Sequence, residues 1–274
     1  MLPSLPPELL DFIVDHSYND PTTLKTCCLL SKSWIPRTRR HLFAHVESRE
    51  SSGHHVESWM KAFPDPLDSP AHHTRSLTIS GIAAATAATT HGHPWVRSFR
   101  TLVELNVKTV DRYGGDLGIS LVQLHGLSPT LKSLHIYRSS LLLFEIFNLT
   151  CSFPLLKDLT LCSISFQYEH VHDPMGVPET SPKLTGSLGL KWEICSVAPR
   201  LLALPGGLHF TKITMDCCEI SIKWVKKLVL RCSGTLESLC LDASMITGAF
   251  HSPFMVHRHL TANYVPSCVQ CLAV

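Results

Sequence analysis

Residues 156–161 read Leu-Lys-Asp-Leu-Thr-Leu, and this six-residue phrase recurs through most of the chain. The same apolar spacing, L-x-x-L-x-L, returns at Leu102/Leu105/Val107, Leu131/Leu134/Ile136, Phe210/Ile213/Met215 and Leu236/Leu239/Leu241. Degenerate copies stand at Leu77/Ile79 and Leu188/Leu190. Apolar residues two apart face the same side of an extended chain, so each copy predicts a short strand with one buried face. The central positions, 77, 105, 134, 159, 188, 213 and 239, step by intervals within the ~20–29 residues of a stacked repeat. A single copy of alternating leucines means little. Seven at near-constant spacing point to strands laid side by side in chain order.

Two further regularities accompany the strands. Ile213-Thr-Met215-Asp-Cys-Cys218-Glu-Ile220 and Leu239-Cys-Leu241-Asp-Ala-Ser244-Met-Ile246 place a small polar side chain where the chain leaves its strand. Ser128-Pro129, Phe153-Pro154 and Ser181-Pro182 break the element before a strand. The array resembles a leucine-rich-repeat solenoid, in irregular form. That resemblance implies an α/β fold with a curved parallel sheet. Its strand leucines would point inward, and the residues between and just after them outward across a binding surface. Asn106, Lys108, His135 and Tyr137 are the outward residues of the earlier copies; Thr160, Lys191, Asp216 and Asp242 belong to the later ones. These eight are the candidate substrate-binding residues. Residues 81–90 (Gly-Ile-Ala-Ala-Ala-Thr-Ala-Ala-Thr-Thr) carry no clear period and read as a weak helix or a loop.

Before the array lies a segment of a different kind. Pro6 and Pro7 suit a first helical turn, Glu8 complements the helix dipole, and Leu9, Leu10, Ile13 and Val14 draw an apolar stripe. Asp20 caps a second helix with Pro21 at its first position, and Leu24, Cys27, Cys28, Leu29 and Leu30 form a broad face. Ser31 is expected to cap a third helix containing Trp34, Thr38 and Leu42. Three helices this short cannot enclose all of these apolar side chains, so the segment needs a partner. The basic run Arg37, Arg39, Arg40 and His41 reads as a solvated helix face.

Leu5-Pro6-Pro7-Glu8-Leu9-Leu10-x-x-Ile13, Leu24, Cys28, Ser31-Lys32-x-Trp34 and the closing Leu42-Phe43 resemble an F-box along its whole length, in the form found in large fungal families. One departure is Ser17, which stands where the family carries leucine. The resemblance implies docking on the Skp-type adaptor of a cullin–RING (SCF-type) ubiquitin ligase. Leu5, Pro6, Leu9, Ile13, Leu24, Cys28 and Trp34 would face or support the adaptor.

The expected organisation is therefore an F-box-like helical unit over 1–45, a linker over 46–73 with a short helix around Trp59, an array over 74–247, and a divergent tail over 248–274. A net charge of +2 supplies no general field for nucleic acid or membranes. Eleven cysteines, some adjacent as at 27–28 and 217–218, fit reduced thiols better than a disulfide framework. The longest apolar run, 141–149, is interrupted by Glu145 and falls short of the ~20 residues a membrane helix needs. The expected location is cytoplasmic and/or nuclear. Gly114-Gly115 and Gly206-Gly207 lack the Lys-Ser or Lys-Thr of a phosphate loop, and no Gly-x-Ser-x-Gly elbow occurs. Cys268 and Cys271 with His257 and His259 supply half a zinc site at the wrong spacing, so neither a metal nor another cofactor is expected. The function expected is a non-catalytic substrate receptor that places a target protein beside a charged conjugating enzyme. The alternative is a repeat scaffold acting outside a ligase.

Overall fold

A computed structural model describes residues 6–48, 59, 61–65, 69–83, 98–111, 124, 127, 129–141, 143–166, 183–192, 194–204, 206–216, 222–242 and 260–261. Three short helices come first. α1 (Pro7–His16) starts on proline, whose missing N–H has no role in a first turn. It ends at Ser17, whose hydroxyl donates to the Ile13 carbonyl at 3.0 Å. α2 (Pro21–Leu30) is capped by Asp20, which accepts from the Thr22 and Thr23 N–H groups at 3.0 and 3.1 Å. The Thr23 hydroxyl adds a third bond at 2.6 Å, and together these hold the Asp20 carboxyl below its ordinary pKa.

The third helix corrects the sequence reading. Ser31 caps a 3-10 turn, Lys32–Trp34, and α3 (Ile35–Leu42) follows it without Trp34. Pro36 is the reason: with no N–H it fits only a helix's first turn, which fixes the start of α3 just before it. The three helices bury Val14, Leu24, Cys27 and Thr38. Thr38 donates to the Trp34 carbonyl at 2.7 Å, leaving the Cys28 thiol, 2.8 Å away, as donor to the hydroxyl.

The rest is one sheet with helices in its connections. β1 (His45–Ser48), β2 (Ser76–Ala83), β3 (Glu104–Asp111), β4 (Ser133–Leu141), β5 (Asp158–Phe166), β6 (Leu184–Lys191), β7 (Leu208–Asp216) and β8 (Ser238–Asp242) run parallel in chain order. β9 (Leu260–Thr261) adds antiparallel to β8. Helices α4 (Leu143–Cys151), α5 (Ile194–Leu202) and α6 (Ile222–Cys232) lie between strands. The fold is thus mixed α/β, with N-terminal helices leading into a parallel sheet.

Register explains the core. Leu77, Leu105, Leu134, Leu159, Leu188, Ile213 and Leu239 are partners strand to strand, and all are buried. Two residues on, Ile79, Val107, Ile136, Leu161, Leu190 and Met215 form a second buried row that ends on half-buried Leu241. Against these rows pack Ile146 and Leu149 of α4, Val197 and Leu201 of α5, and Val225, Leu228 and Val229 of α6.

β3, β4 and β5 enter in the same way. The Arg75 carbonyl accepts from both Val103 and Glu104 N–H (2.8 and 2.9 Å). Val103 does the same for Lys132 and Ser133, and Lys132 for Lys157 and Asp158. A threonine reinforces several joints by donating to a carbonyl of the preceding copy: Thr101 to Thr74 (3.1 Å), Thr130 to Leu102 (2.9 Å) and Thr235 to Phe210 (3.1 Å). A backbone kink repeats too. Arg138, Ser163 and Trp192, four residues past Leu134, Leu159 and Leu188 of the first buried row, all have positive φ (47°, 54° and 61°). The irregular joint is at β6, where the register shifts at Gly186. There φ is +87°, and a Cβ would lie 2.0 Å from the Lys157 carbonyl oxygen, so only glycine fits.

Two sequence expectations shift. β1 lies across the boundary assigned between helical unit and linker. It escaped notice because Val46 alone carries its inward pattern, pairing with Leu77. Residues 81–83, read as helix or loop, continue β2; 84–90 lie outside the described residues. Within the expected linker, Trp59 stacks on Phe99 at 6.2 Å and meets Phe43 edge-on at 5.8 Å, and its indole N–H donates to the Ser69 hydroxyl at 3.3 Å.

Candidate functional site

The helical unit presents an apolar surface. In α1 only Val14 points into the molecule; Leu9, Phe12 and Ile13 stand 50%, 58% and 43% exposed. In α2, Leu24 and Cys27 turn inward, whereas Leu29 and Leu30 are 87% and 68% exposed. Tyr18, between the helices, is also exposed. The long sheet region adds only Leu155, Trp192, Ile222 and Leu230 among the described residues. Water-exposed large side chains thus concentrate in the first thirty residues, where an ordinary small helical cap would hide them.

The seven adaptor-directed candidates separate by position. Pro6, Leu9 and Ile13 are exposed. Leu24 is core, Cys28 is half-buried against Thr38, and Trp34 is half-buried in the 3-10 turn. Leu5 lies outside the described residues. Sequence reasoning passed over Phe12 and Tyr18 as surface contributors, because their spacing adds nothing to a buried stripe; Leu29 and Leu30 of the broad face turn out to be its exposed part.

It also missed the clamp that orients α1. Asp15 accepts from Arg37 Nε at 2.8 Å and from a terminal guanidinium nitrogen, and lies 2.7 Å from His41 Nε2. Arg37 reaches Asp11 as well, at 3.3 Å. Bonds from Arg37 first, and from His41 second, hold the Asp15 carboxyl well below the usual carboxylate range. The basic run is therefore not solely a solvated face: Arg37 and His41 turn toward α1, while Arg39 and Arg40 are exposed.

The second surface is the polar face of the sheet. Thr78, Asn106, His135, Thr160, Gly189, Thr214 and Cys240 are register partners in one row. Ser80, Lys108, Tyr137, Cys162 and Lys191 make a second, and Asp216 pairs with Asp242 at its far end. Seven of the eight outward candidates thus fall in two adjacent rows of one face, and Asp242 is the backbone register partner of Asp216. Asn106 donates to Glu104 at 2.9 Å, His135 Nε2 lies 4.0 Å from the same carboxylate, and the His135 ring stacks on Tyr137 at 6.2 Å. Burial pushes the Tyr137 hydroxyl pKa up, with Cys162 and Glu104 adding to it. Lys108 pairs with Glu47 on β1 at 3.6 Å, and Ser133 donates to Asp158 at 3.1 Å. Glu104 and Asp158 were not singled out from sequence, since they precede the inward leucine. Gly189 leaves a notch in which a Cβ would press on the Thr160 hydroxyl at 3.0 Å. His135 Nδ1 is buried with no hydrogen-bond partner among the described residues. The arrangement offers donors and acceptors over a broad face, which suits binding an extended polar surface.

Among the described residues, no group of three or more His, Cys, Asp or Glu is placed to hold a metal ion. His257, His259, Cys268 and Cys271 lie outside them. Cys27, Cys28, Cys151, Cys162, Cys195, Cys232 and Cys240 are not in disulfides. No described helix is long and apolar enough to cross a membrane. No family model matches the chain, nor does any curated protein or solved structure.

Proposed function

We propose that the chain is a substrate receptor of an SCF-type cullin–RING ubiquitin ligase. In this reading the three N-terminal helices are an F-box that docks on a Skp-type adaptor. The sheet and its helices are an irregular leucine-rich-repeat solenoid whose polar face holds a target protein. The observation that carries the reading is the exposure of Leu9, Phe12, Ile13, Leu29 and Leu30 on helices whose few inward residues are already spent. Fully covering one Leu, Ile or Phe contributes about 1.5–3 kcal/mol, so a partner that covers several gains enough to bind tightly. Repeating strand entries and chain-order pairing support the solenoid.

The chain itself needs no catalytic group for this task. It raises the effective concentration of a target lysine near a ubiquitin-charged enzyme held elsewhere on the complex. The work would be done in the cytoplasm or nucleus, without metal or other cofactor. Co-expression with a Skp-type adaptor, followed by affinity purification and a cullin blot, tests the reading. Recovery of adaptor and cullin together is expected. Adaptor without cullin favours a scaffold outside the ligase, and no adaptor at micromolar concentration removes the F-box.

A further inference from the structure

On the side of α6 away from the sheet, the sequence departs from what a helix prefers. Val225, Leu228, Val229 and Cys232 are buried. Lys223, Lys227 and Arg231, spaced i, i+4, i+8, are exposed together on the opposite face, with half-buried Lys226 beside them. The helix contains neither Asp nor Glu. Like charges four apart destabilise a helix, and cations in a first turn oppose its dipole. Lys223 sits in that first turn, and the whole chain carries a net charge of only +2, so four cations in one short helix are a local concentration. Between them lies Leu230, 48% exposed, with Ile222 at the helix start 41% exposed. Arg231, in the last turn, complements the dipole, but the row as a whole finds no acidic partner within its own helix, which marks a surface shaped for something other than stability.

We infer that this face of α6 docks an acidic polypeptide segment that carries at least one apolar side chain. Carboxylates of the segment would neutralise the row Lys223–Lys227–Arg231, relieving the repulsion along it, while the apolar side chain covers Leu230. A lipid surface fits less well. The aromatic residue best suited to enter one, Trp224, is half-buried and covered by two ammonium groups, those of Lys223 and Lys227, at 5.3 and 4.7 Å from the ring centroid. Nucleic acid also fits less well, because Trp224 is half-buried and offers no open ring for a base to stack on, and the exposed Ile222 and Leu230 among the cations have no counterpart on a phosphate backbone. This surface is separate from the exposed α1–α2 face and from the polar rows of the sheet, so it stands whether or not the ligase reading does.

Fluorescence anisotropy on the full chain tests it, with a labelled peptide of Asp and Glu interrupted by Leu and Phe as the probe. Saturable binding that weakens as salt rises is expected. The triple variant Lys223→Ser, Lys226→Ser, Lys227→Ser should lose about tenfold in affinity, and Leu230→Ser about threefold. These are surface changes, and circular dichroism checks that the variants fold. Absence of binding, or equal binding by the variants, overturns the proposal. So does preferential capture of phosphatidylserine vesicles or duplex DNA over the peptide.

Discussion

The helical unit and the sheet solve the same problem in opposite ways. In the sheet, each strand hides its two apolar rows against the strands beside it and the helices laid over them. In the helices, Val14, Leu24 and Cys27 are the apolar side chains fully enclosed, and larger ones remain in water. The described strands enclose their apolar rows, whereas the described helices leave apolar surface in water. The same residue types thus build a core in one region and, under the proposed docking, a contact surface in the other.

The strongest way to break that contrast is a charge in the sheet core. Leu134→Asp or Leu159→Asp should unfold the sheet, because an unpaired buried carboxylate costs on the order of several kcal/mol. An unchanged melting curve by circular dichroism would show that these leucines do not face inward. Gly186→Ala comes next, at about 3 kcal/mol from strain plus the clash with the Lys157 carbonyl, read as a lower urea midpoint. The same kind of charge placed in the helices should behave differently. Leu9→Asp with Ile13→Asp should weaken adaptor binding by roughly 2–3 kcal/mol, about thirty- to a hundredfold, while the melting temperature holds. A melting temperature that falls as far as in the Leu134 variant would mean that the helices enclose these side chains after all.

Two smaller effects sharpen the comparison. Asp15→Asn should cost the helical unit less than about 1 kcal/mol, since the pair is part-exposed and screened by solvent. The folded Asp15 carboxyl is depressed below its ordinary 3.8, so its contribution is complete above that value and fades as pH falls beneath it. The gap between variant and parent should therefore narrow from about pH 6 to about pH 3 in urea titrations. Ser163→Gly should be the mildest, a gain of a few tenths of a kcal/mol in the same titration, because it relieves a left-handed residue and adds unfolded-state entropy in partial offset. A loss there would mean that the Ser163 side chain holds the kink within β5.

The sheet was legible because its signal is periodic. One inward pair per strand, repeated seven times, gives register, direction and outward face together, and so it placed Asn106, His135 and Thr160 in one row. What escaped were features with a single copy or a non-apolar cause. β1 has one inward side chain. Gly186 is set by the carbonyl of Lys157, just ahead of β5, and the Asp15–Arg37–His41 clamp joins residues far apart in sequence. The threonines at 101, 130 and 235 were visible letters with a period, but polar residues outside the L-x-x-L-x-L phrase carried no weight in an apolar search. In the helical unit, the spacing showed which residues are apolar but not which of them water reaches.

Because β1 to β8 pair in the order in which they are made, every new strand leaving the ribosome finds its docking edge already present. Growth of the sheet can keep pace with translation, one joint at a time, with little waiting exposure of hydrophobic strands. The exposed side chains of α1 and α2 have no such companion among the described residues; under the proposed docking, the supply of adaptor would set how long that sticky surface stays bare.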